Sequence, residues 1–419
     1  MRQAQDLNPP KAESGWPPVV VAGGFQTGVV LMRNLVRRGL RVYCVEWLRA
    51  QPCFRSVYGK SFECPHPDDH PGEWRAFMTR LGEKLGAKAA LVPTSDQFVS
   101  AIAQHADELK KHYLFCQEGA AVQGLLATKQ RQYDLAGEHG LPVPRTQFVQ
   151  SAGKMAEFGR AAQFPCLFKP LHARQWNRLP AGHPFLDAQL VLADSAEDLT
   201  AKYALVVDAN PEVVVQEVIE GPDTAKLVYL SCYARDGRRI GACIVRQVRT
   251  APIYFGSASV VEPVDDPETD SLCDRFLQSI GYSGICELEL KRDTRDGRVK
   301  LIEANPRYSV TADAAPYAGV DLGWLHYLDL IGREVTPAQW NGRPFRHIVL
   351  TRDFSTFRGY LRDGLTTWSG LIQSYRPPAA FYDFDLRDWR VTLGTCFTLL
   401  RLLIVPPLRK IFPKRTGRR

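Results

Sequence analysis

The chain has 419 residues, 45% of them apolar, enough to bury a sizeable core in two or three structural units and to exclude a disordered or fibrous chain. Its net charge of +8 is concentrated: residues 387–419 hold nine Lys/Arg and one acid, Asp388, so the remainder balances and a basic body wrapped by a polynucleotide is excluded. Ten cysteines stand singly, without a Cys-x-x-Cys pair or a clustered histidine, which excludes a disulfide framework and a structural zinc site and points to a reduced, cytoplasmic setting.

Residues 1–18 are polar and proline-rich where a signal peptide needs a continuous apolar core, and they read as a flexible leader. From residue 19, VVVAGGFQTG is an apolar run ending in glycines, VVLMRNLVRRGL has helical spacing, and RVYCVEW is strand-like, a β-α-β opening. Gly23, Gly24 and Gly28 are not in Gly-x-Gly-x-x-Gly order, so a tight strand-to-helix turn is the better reading than a dinucleotide site. KAALVPTSDQFVSAIAQHADEL (88–109) repeats strand, loop and helix, and a first α/β unit is expected over about 19–125.

A second unit begins at TKQRQYDLAGEHGLPVPRTQFV (128–149), where a helix stops at Gly140 and prolines start an extended segment. FPCLFKPL (164–171) reads as a strand carrying Lys169 between Phe168 and Pro170. An unpaired ammonium there would be costly, so Lys169 expects an anion. QLVLADSAEDLTAKYALVV (189–207) is strand then helix, and residues 212–250 hold an apolar run, an acidic turn and two strands joined at Asp236-Gly237.

GICELELKRDTRDGRVKLIEANPR (284–307) reads as a hairpin turning at Asp296-Gly297. Alternation puts Glu287 and Glu289 on one face of its first strand, and Glu303, Asn305 and Arg307 on one face of its second, with Ile302 and Ala304 behind. If the two faces coincide, the carboxylates need a hard divalent cation between them, for which magnesium is the natural candidate. One carboxylate from each strand and the Asn305 amide oxygen can hold metal ions against a nucleotide's phosphates, and Arg307 can steady a phosphoryl group. The alternative is an ordinary exposed hairpin with charged outer residues.

Beyond Gly332 a strand is expected near FRHIVL and a helix near FSTFRGYLRDGL, and His347, without a metal partner in sequence, reads as a packing or hydrogen-bonding residue. A helix over 391–405 would be about 22 Å long, short of the roughly 30 Å of bilayer hydrocarbon. Thr392, Thr395, Thr398 and Arg401 fall on one side of it and Leu393, Phe397, Leu400 and Ile404 on the other, with RKIFPKRTGRR following. This suits an interfacial helix on the anionic inner face of a membrane, or a terminal helix docked on the protein's own core.

Lys129, FKP with Lys169, QEVIEGPD (216–223), ELELKRD (287–293) and LIEANPR (301–307), in that order, resemble the ATP-grasp superfamily over about 126–335. Within it the chain is most similar to carboxylate–amine ligases of the D-aspartate ligase kind. The resemblance implies an α/β chain, α+β within the grasp domains. A Rossmann-like domain at 19–125 would precede a two-lobed ATP-grasp domain, with lobes at about 126–210 and 211–335. An extension at 336–386 and a basic apolar tail at 387–419 would follow.

It also implies ATP as cofactor, with Lys129 and Lys169 as phosphate contacts and residues 216–219 as the hinge. There Gln216 leads in, and the backbones of Glu217 and Ile219 meet the adenine. Asp223, or Thr224 one residue on, would contact the ribose. Glu289, Glu303 and Asn305 would hold two Mg2+ ions, or Mn2+, beside Glu287, while Arg307 and Arg249 would stabilise an acyl-phosphate and the oxyanion formed as an amine attacks it. The implied reaction joins a small carboxylic acid to an amine with release of ADP and phosphate; capture by a thiol, a nucleotide-binding regulator and a membrane-docked scaffold are the alternatives. The loop at 171–189 departs from the family pattern, with Gly182 as its single glycine. Either His172, Arg174 and Arg178 cover the phosphates, or the loop receives a substrate, or it is a disordered insert.

Overall fold

A computed structural model describes residues 11–126, 129–171, 175–188, 190–376 and 378–404. Apolar runs bounded by glycine build the first sheet, whose five strands are all parallel in the order Lys60–Glu63, Val42–Glu46, Val19–Ala22, Ala89–Pro93, Tyr113–Leu114. Its central strands Val19–Ala22 and Ala89–Pro93 are buried throughout, as a parallel sheet covered on both faces requires. The glycine turn is a packing device: a Cβ on Gly28 would stand 1.9 Å from the Gly23 carbonyl oxygen, so the helix Gln26–Arg37 can approach the strand only without a side chain there.

Residues 12–17 are anchored, contrary to the flexible leader expected. Trp16 stacks on Trp324 and Tyr327, and the Tyr327 hydroxyl donates to the Pro17 carbonyl at 2.7 Å. The apolar area of an indole on an aromatic shelf offsets part of the cost of ordering the segment, an effect invisible in the segment's polar composition.

A four-stranded antiparallel sheet follows, ordered Thr146–Val149, Val213–Glu217, Cys166–Pro170, Val191–Ala193. The largest sheet has eight strands. Its path runs Val299–Asn305, Gly284–Arg292, Lys226–Tyr233, Arg239–Ala251, Ser257–Pro263, Arg346–Ile348, Ala379–Phe381, with Ala338–Gln339 added beside Arg239–Ala251. Residues 338–381, read from sequence as an extension, thus complete this sheet. The helix Leu350–Arg362 then packs on it.

One hydrophobic core runs without a break from Val19 and Val42 of the first sheet and Leu31 of the helix Gln26–Arg37 to Val228 of the large sheet, Tyr308 beyond its edge strand and Trp324 of the helix Leu322–Leu330. That shared core fixes the carboxyl edge of the parallel sheet against the hairpin that carries the acidic residues. In open parallel sheets this edge, where strand order reverses between Val19–Ala22 and Ala89–Pro93, is where ligands gather.

Candidate active site

The hairpin has the expected register. Glu289 lies directly opposite Glu303 and Glu287 directly opposite Asn305, so all four share a face. A bulge beyond Glu289, where Leu290 pairs Leu301, leaves Ile302 unpaired, so the acidic pair sits at a kink. The strand stops at Asn305 because Pro306 has no N–H to donate. Arg307 therefore leaves the ladder, its N–H turned back to the Asn305 carbonyl at 2.8 Å, and its guanidinium still returns to the site through the Asn305 side-chain oxygen at 3.0 Å.

The edge strand is covered by the helix Lys129–Glu138. Gln132 accepts from Ala304 N–H at 3.0 Å and donates to the Ala304 carbonyl at 2.9 Å, and the Tyr133 hydroxyl donates to the Ile302 carbonyl at 2.7 Å. These bonds satisfy a sheet edge that would otherwise stay open. They also bring Lys129 Nζ within 3.3 Å of Glu303 Oε1. Lys169 comes from the four-stranded sheet. Its neighbour Phe168 faces the other way, into the rings of Trp176, Phe185 and Tyr203, which turns Lys169 toward the cleft by alternation.

The electrostatics mark the same place. Burial, then the nearby Glu287 and Glu303, push the Glu289 carboxyl up to about 8 against the opposing pull of Lys226 and Lys129. Burial raises Glu287 too, although Ser309 donates to it at 2.5 Å and Asn305 at 3.1 Å. Burial and the charge of Lys129 bring Lys169 down to about 8, while Lys129, which burial alone would depress, is held above its ordinary value by Glu303. Burial and like charge thus hold these acids toward their neutral form and this lysine toward the free amine.

Among the described residues no three His, Cys, Asp or Glu side chains stand together as a ready cation cage. Glu287 is spent on Asn305 and Ser309, and Glu303 leans to Lys129. The donor set still fits a hard cation by its chemistry: Glu289, Glu303 and Asn305 carry oxygens on one face, although the Asn305 oxygen now accepts from Arg307.

Two other expected residues have their charged groups already paired within the protein. Arg249 is buried, with Nε and Nη2 donating to both oxygens of Asp353 at 2.8 Å and Nη2 also reaching Ser374 Oγ at 2.9 Å. Its fixed fork is consumed by the core between the large sheet and the helix Leu350–Arg362, so the structure does not bring Arg249 to the carboxylates. The Asp223 carboxylate is likewise buried and occupied: one oxygen accepts from Thr250, Tyr254 N–H and Tyr360, and the other faces Lys226 at 3.5 Å. It stands as a support for Lys226 rather than an open ribose acceptor; Thr224 beside it is exposed.

Residues 216–219 bridge the four-stranded and the large sheets. Gln216 donates to Thr146 Oγ1 at 2.8 Å, Glu217 N–H to the Arg145 carbonyl at 3.0 Å, the Glu217 carboxylate accepts from Gln163 N–H at 2.7 Å, and Ile219 is buried.

The loop after Lys169 is no disordered insert over its described part. Trp176 donates to Asn210 Oδ1 at 3.0 Å and stacks on Phe185, while Arg178 is exposed; His172 and Arg174 lie outside the described residues. His347 does bond, to Asp313 Oδ2 at 3.1 Å. All ten cysteines are free and nine are buried, in keeping with small apolar packing residues.

Sequence reasoning passed over two residues of the site. Lys226 shares the face of Glu289 through the pairing of Val228 with Glu289, and it sits in an apolar strand, the same signal that singled out Lys169. Asp96, first residue of the helix Asp96–Gln104 at the carboxyl edge of the parallel sheet, accepts from Arg307 Nε at 2.6 Å.

No family model matches the chain. It is 25% identical over 257 residues to a D-aspartate ligase of Enterococcus faecium (strain Aus0004), covering 59% of this chain and 60% of that one, so it spans less than two thirds of that relative. Among solved structures, N5-carboxyaminoimidazole synthetase from Staphylococcus aureus complexed with ADP superposes with a TM-score of 0.61 at 15% identity, covering 85% of this chain and 88% of that one. The chain has the ATP-grasp fold. L-amino acid ligase from Bacillus licheniformis, with a TM-score of 0.53 at 12% identity, covers 77% of this chain and 75% of its own. In this fold Lys169 stands on the four-stranded sheet and Glu289 and Glu303 on the large one.

Proposed function

We propose that the protein is an ATP-dependent carboxylate–amine ligase, activating a small carboxylic acid as its acyl-phosphate and passing it to an amine with release of ADP and phosphate. The observation that carries this reading is the face shared by Glu289, Glu303 and Asn305, set against Lys129 and Lys169. The relatives whose printed names are D-aspartate ligase and L-amino acid ligase support the C–N bond, and the ADP complex of the synthetase supports the nucleotide. Phosphoryl transfer asks for positioning and charge neutralisation rather than a protein nucleophile, which agrees with free cysteines of which nine are buried.

In this reading Lys129 and Lys169 hold the phosphates, and residues 216–219 carry the hinge at the adenine. Glu289, Glu303 and Asn305 would hold magnesium, which when bound supplies charge neutralisation at the phosphates. Arg307, positioned by Asp96 and Asn305, faces the acyl-phosphate and the developing oxyanion. Arg249 has no part in the chemistry. A cytoplasmic setting, with the basic tail against an anionic membrane surface, goes with this reading.

The direct test is ADP release with panels of carboxylic acids and amines in the presence of magnesium, with mass spectrometry of the product. Release that needs one acid and one amine together, with an amide formed, is the expected result; tight ATP binding without release on any pair, or a thioester product, would sink it.

A pH dependence follows from Lys169. Free, its amine titrates at about 8, brought down by burial and by Lys129. Bound polyphosphate favours the ammonium and raises it again, so binding takes up a proton above pH 8, and affinity falls as pH rises through that value. Calorimetry of metal-free nucleotide at pH 8.5 in two buffers of different ionisation enthalpy should register this uptake, and Lys169→Met should lower it, the remainder belonging to Glu289, which titrates in the same range.

A further inference from the structure

The C-terminal helix Trp389–Ile404 is docked with its sides exchanged. A helix lying on a protein hides its large apolar residues and shows its polar ones. Here Val391, Thr392 and Thr395 are the buried residues, and Thr392 Oγ1 donates to the Asp385 carbonyl at 2.7 Å while accepting from Asp385 N–H at 3.1 Å. The opposite stripe is open: Trp389, Leu393, Phe397 and Leu400, spaced to share one face, are 54, 47, 70 and 52% exposed. Leu386, just before the helix, is 69% exposed.

The orientation is latched. Asp388 accepts from Ser56 Oγ at 2.5 Å and from Val57 N–H at 3.1 Å, and Asp385 accepts from Arg37 and the Tyr58 hydroxyl, each at 2.8 Å. Rolling the helix to bury its leucines would break the Thr392 bonds and pull against this carboxylate latch. The exposed face is therefore a standing feature of the fold.

Charge decides what can cover it. Arg390 and Arg401 are exposed on the helix, and residues 405–419 contain six Lys/Arg and no Asp or Glu. A second copy would bring two such cationic tails together, which like-charge repulsion opposes. An anionic bilayer satisfies both halves of the pattern, taking the apolar stripe into its headgroup region and the cations at its surface. The helix lies flat there, since among the described residues no helix is long and apolar enough to cross a membrane.

We infer that the face of Trp389, Leu393, Phe397 and Leu400 is a bilayer-docking surface, with the threonine side of the helix serving as its attachment to the protein. The inference does not depend on the ligase reading, because vesicle binding and nucleotide turnover are separate measurements on the same protein.

The test is co-sedimentation of the full chain with vesicles of phosphatidylcholine alone or with roughly a third phosphatidylglycerol, enough to give the anionic surface that polybasic segments require. Binding to the anionic vesicles, weakened by salt, is expected, and Leu393→Glu/Phe397→Glu should lower the partition coefficient by at least about tenfold, since affinity scales with the apolar area inserted. Both residues are exposed, so the thermal midpoint should not move. Equal binding of the double variant would show that the basic tail acts alone and would overturn the inference. So would a wild type that stays in solution, or a wild-type dimer in analytical ultracentrifugation that the double variant dissociates.

Discussion

Glu303→Gln is expected to lower the rate of ADP release by about a thousandfold, the loss typical when a charge-stabilising group is removed from a preorganised site. Glu303 stands opposite Glu289 and within 3.3 Å of Lys129 Nζ, so it belongs to both halves of the cleft. The amide keeps the shape of the side chain but removes one of the two carboxylates that face each other across the hairpin. A cation bridging phosphate oxygens then has a weaker anchor. Lys129 also loses its counter-charge, so binding of nucleotide without metal should hold or improve while turnover collapses. Unchanged turnover at saturating magnesium, in a variant whose thermal midpoint matches the wild type, would remove the hairpin from the chemistry.

The largest stability effect is expected at Asp353, where replacement by Ala should cost about 3–5 kcal/mol, because Arg249 is left as an uncompensated buried charge. Ser259 and Tyr375 also donate to this carboxylate, so the loss spreads to two further hydroxyls. Arg249→Met combined with Asp353→Leu leaves no charge unpaired and should recover part of the stability in a denaturant titration. The pair also separates structure from catalysis. A double variant that folds and turns over normally places Arg249 in the core, whereas one that folds but has lost ADP release would return Arg249 to the reaction.

Part of the cleft is legible in the sequence because its signals are local. Residues two apart share a strand face, so alternation groups Glu287 with Glu289 and Glu303 with Asn305, but the register set at the Asp296-Gly297 turn would by itself put Ile302 opposite Glu289, and the bulge beyond Glu289 is what brings Glu303 there. Lys169 stood out for the same reason, as an ammonium in an apolar strand. The same test applied to DTAKLVYL would have found Lys226. The C-terminal helix was legible as amphipathic, but periodicity says only that two faces differ, and nothing in a period says which of them the protein will take.

By itself, then, the order of residues determined the strands, the hairpin and the alternation that groups the carboxylates within each strand, because these depend on backbone geometry over a few residues, whereas the bulge that joins the two groups on one face is seen only in the structure. The tertiary structure decided how each charged group is spent. Arg249 finds Asp353 at 104 positions' distance and Arg307 finds Asp96 at 211, and only when the chain has closed does one guanidinium become core and the other remain beside the cleft. Trp16 is held by an aromatic shelf and Asp223 by Tyr360 in the same way. A charge takes its partner from whatever folding brings within a few ångströms, and sequence separation carries no information about that distance.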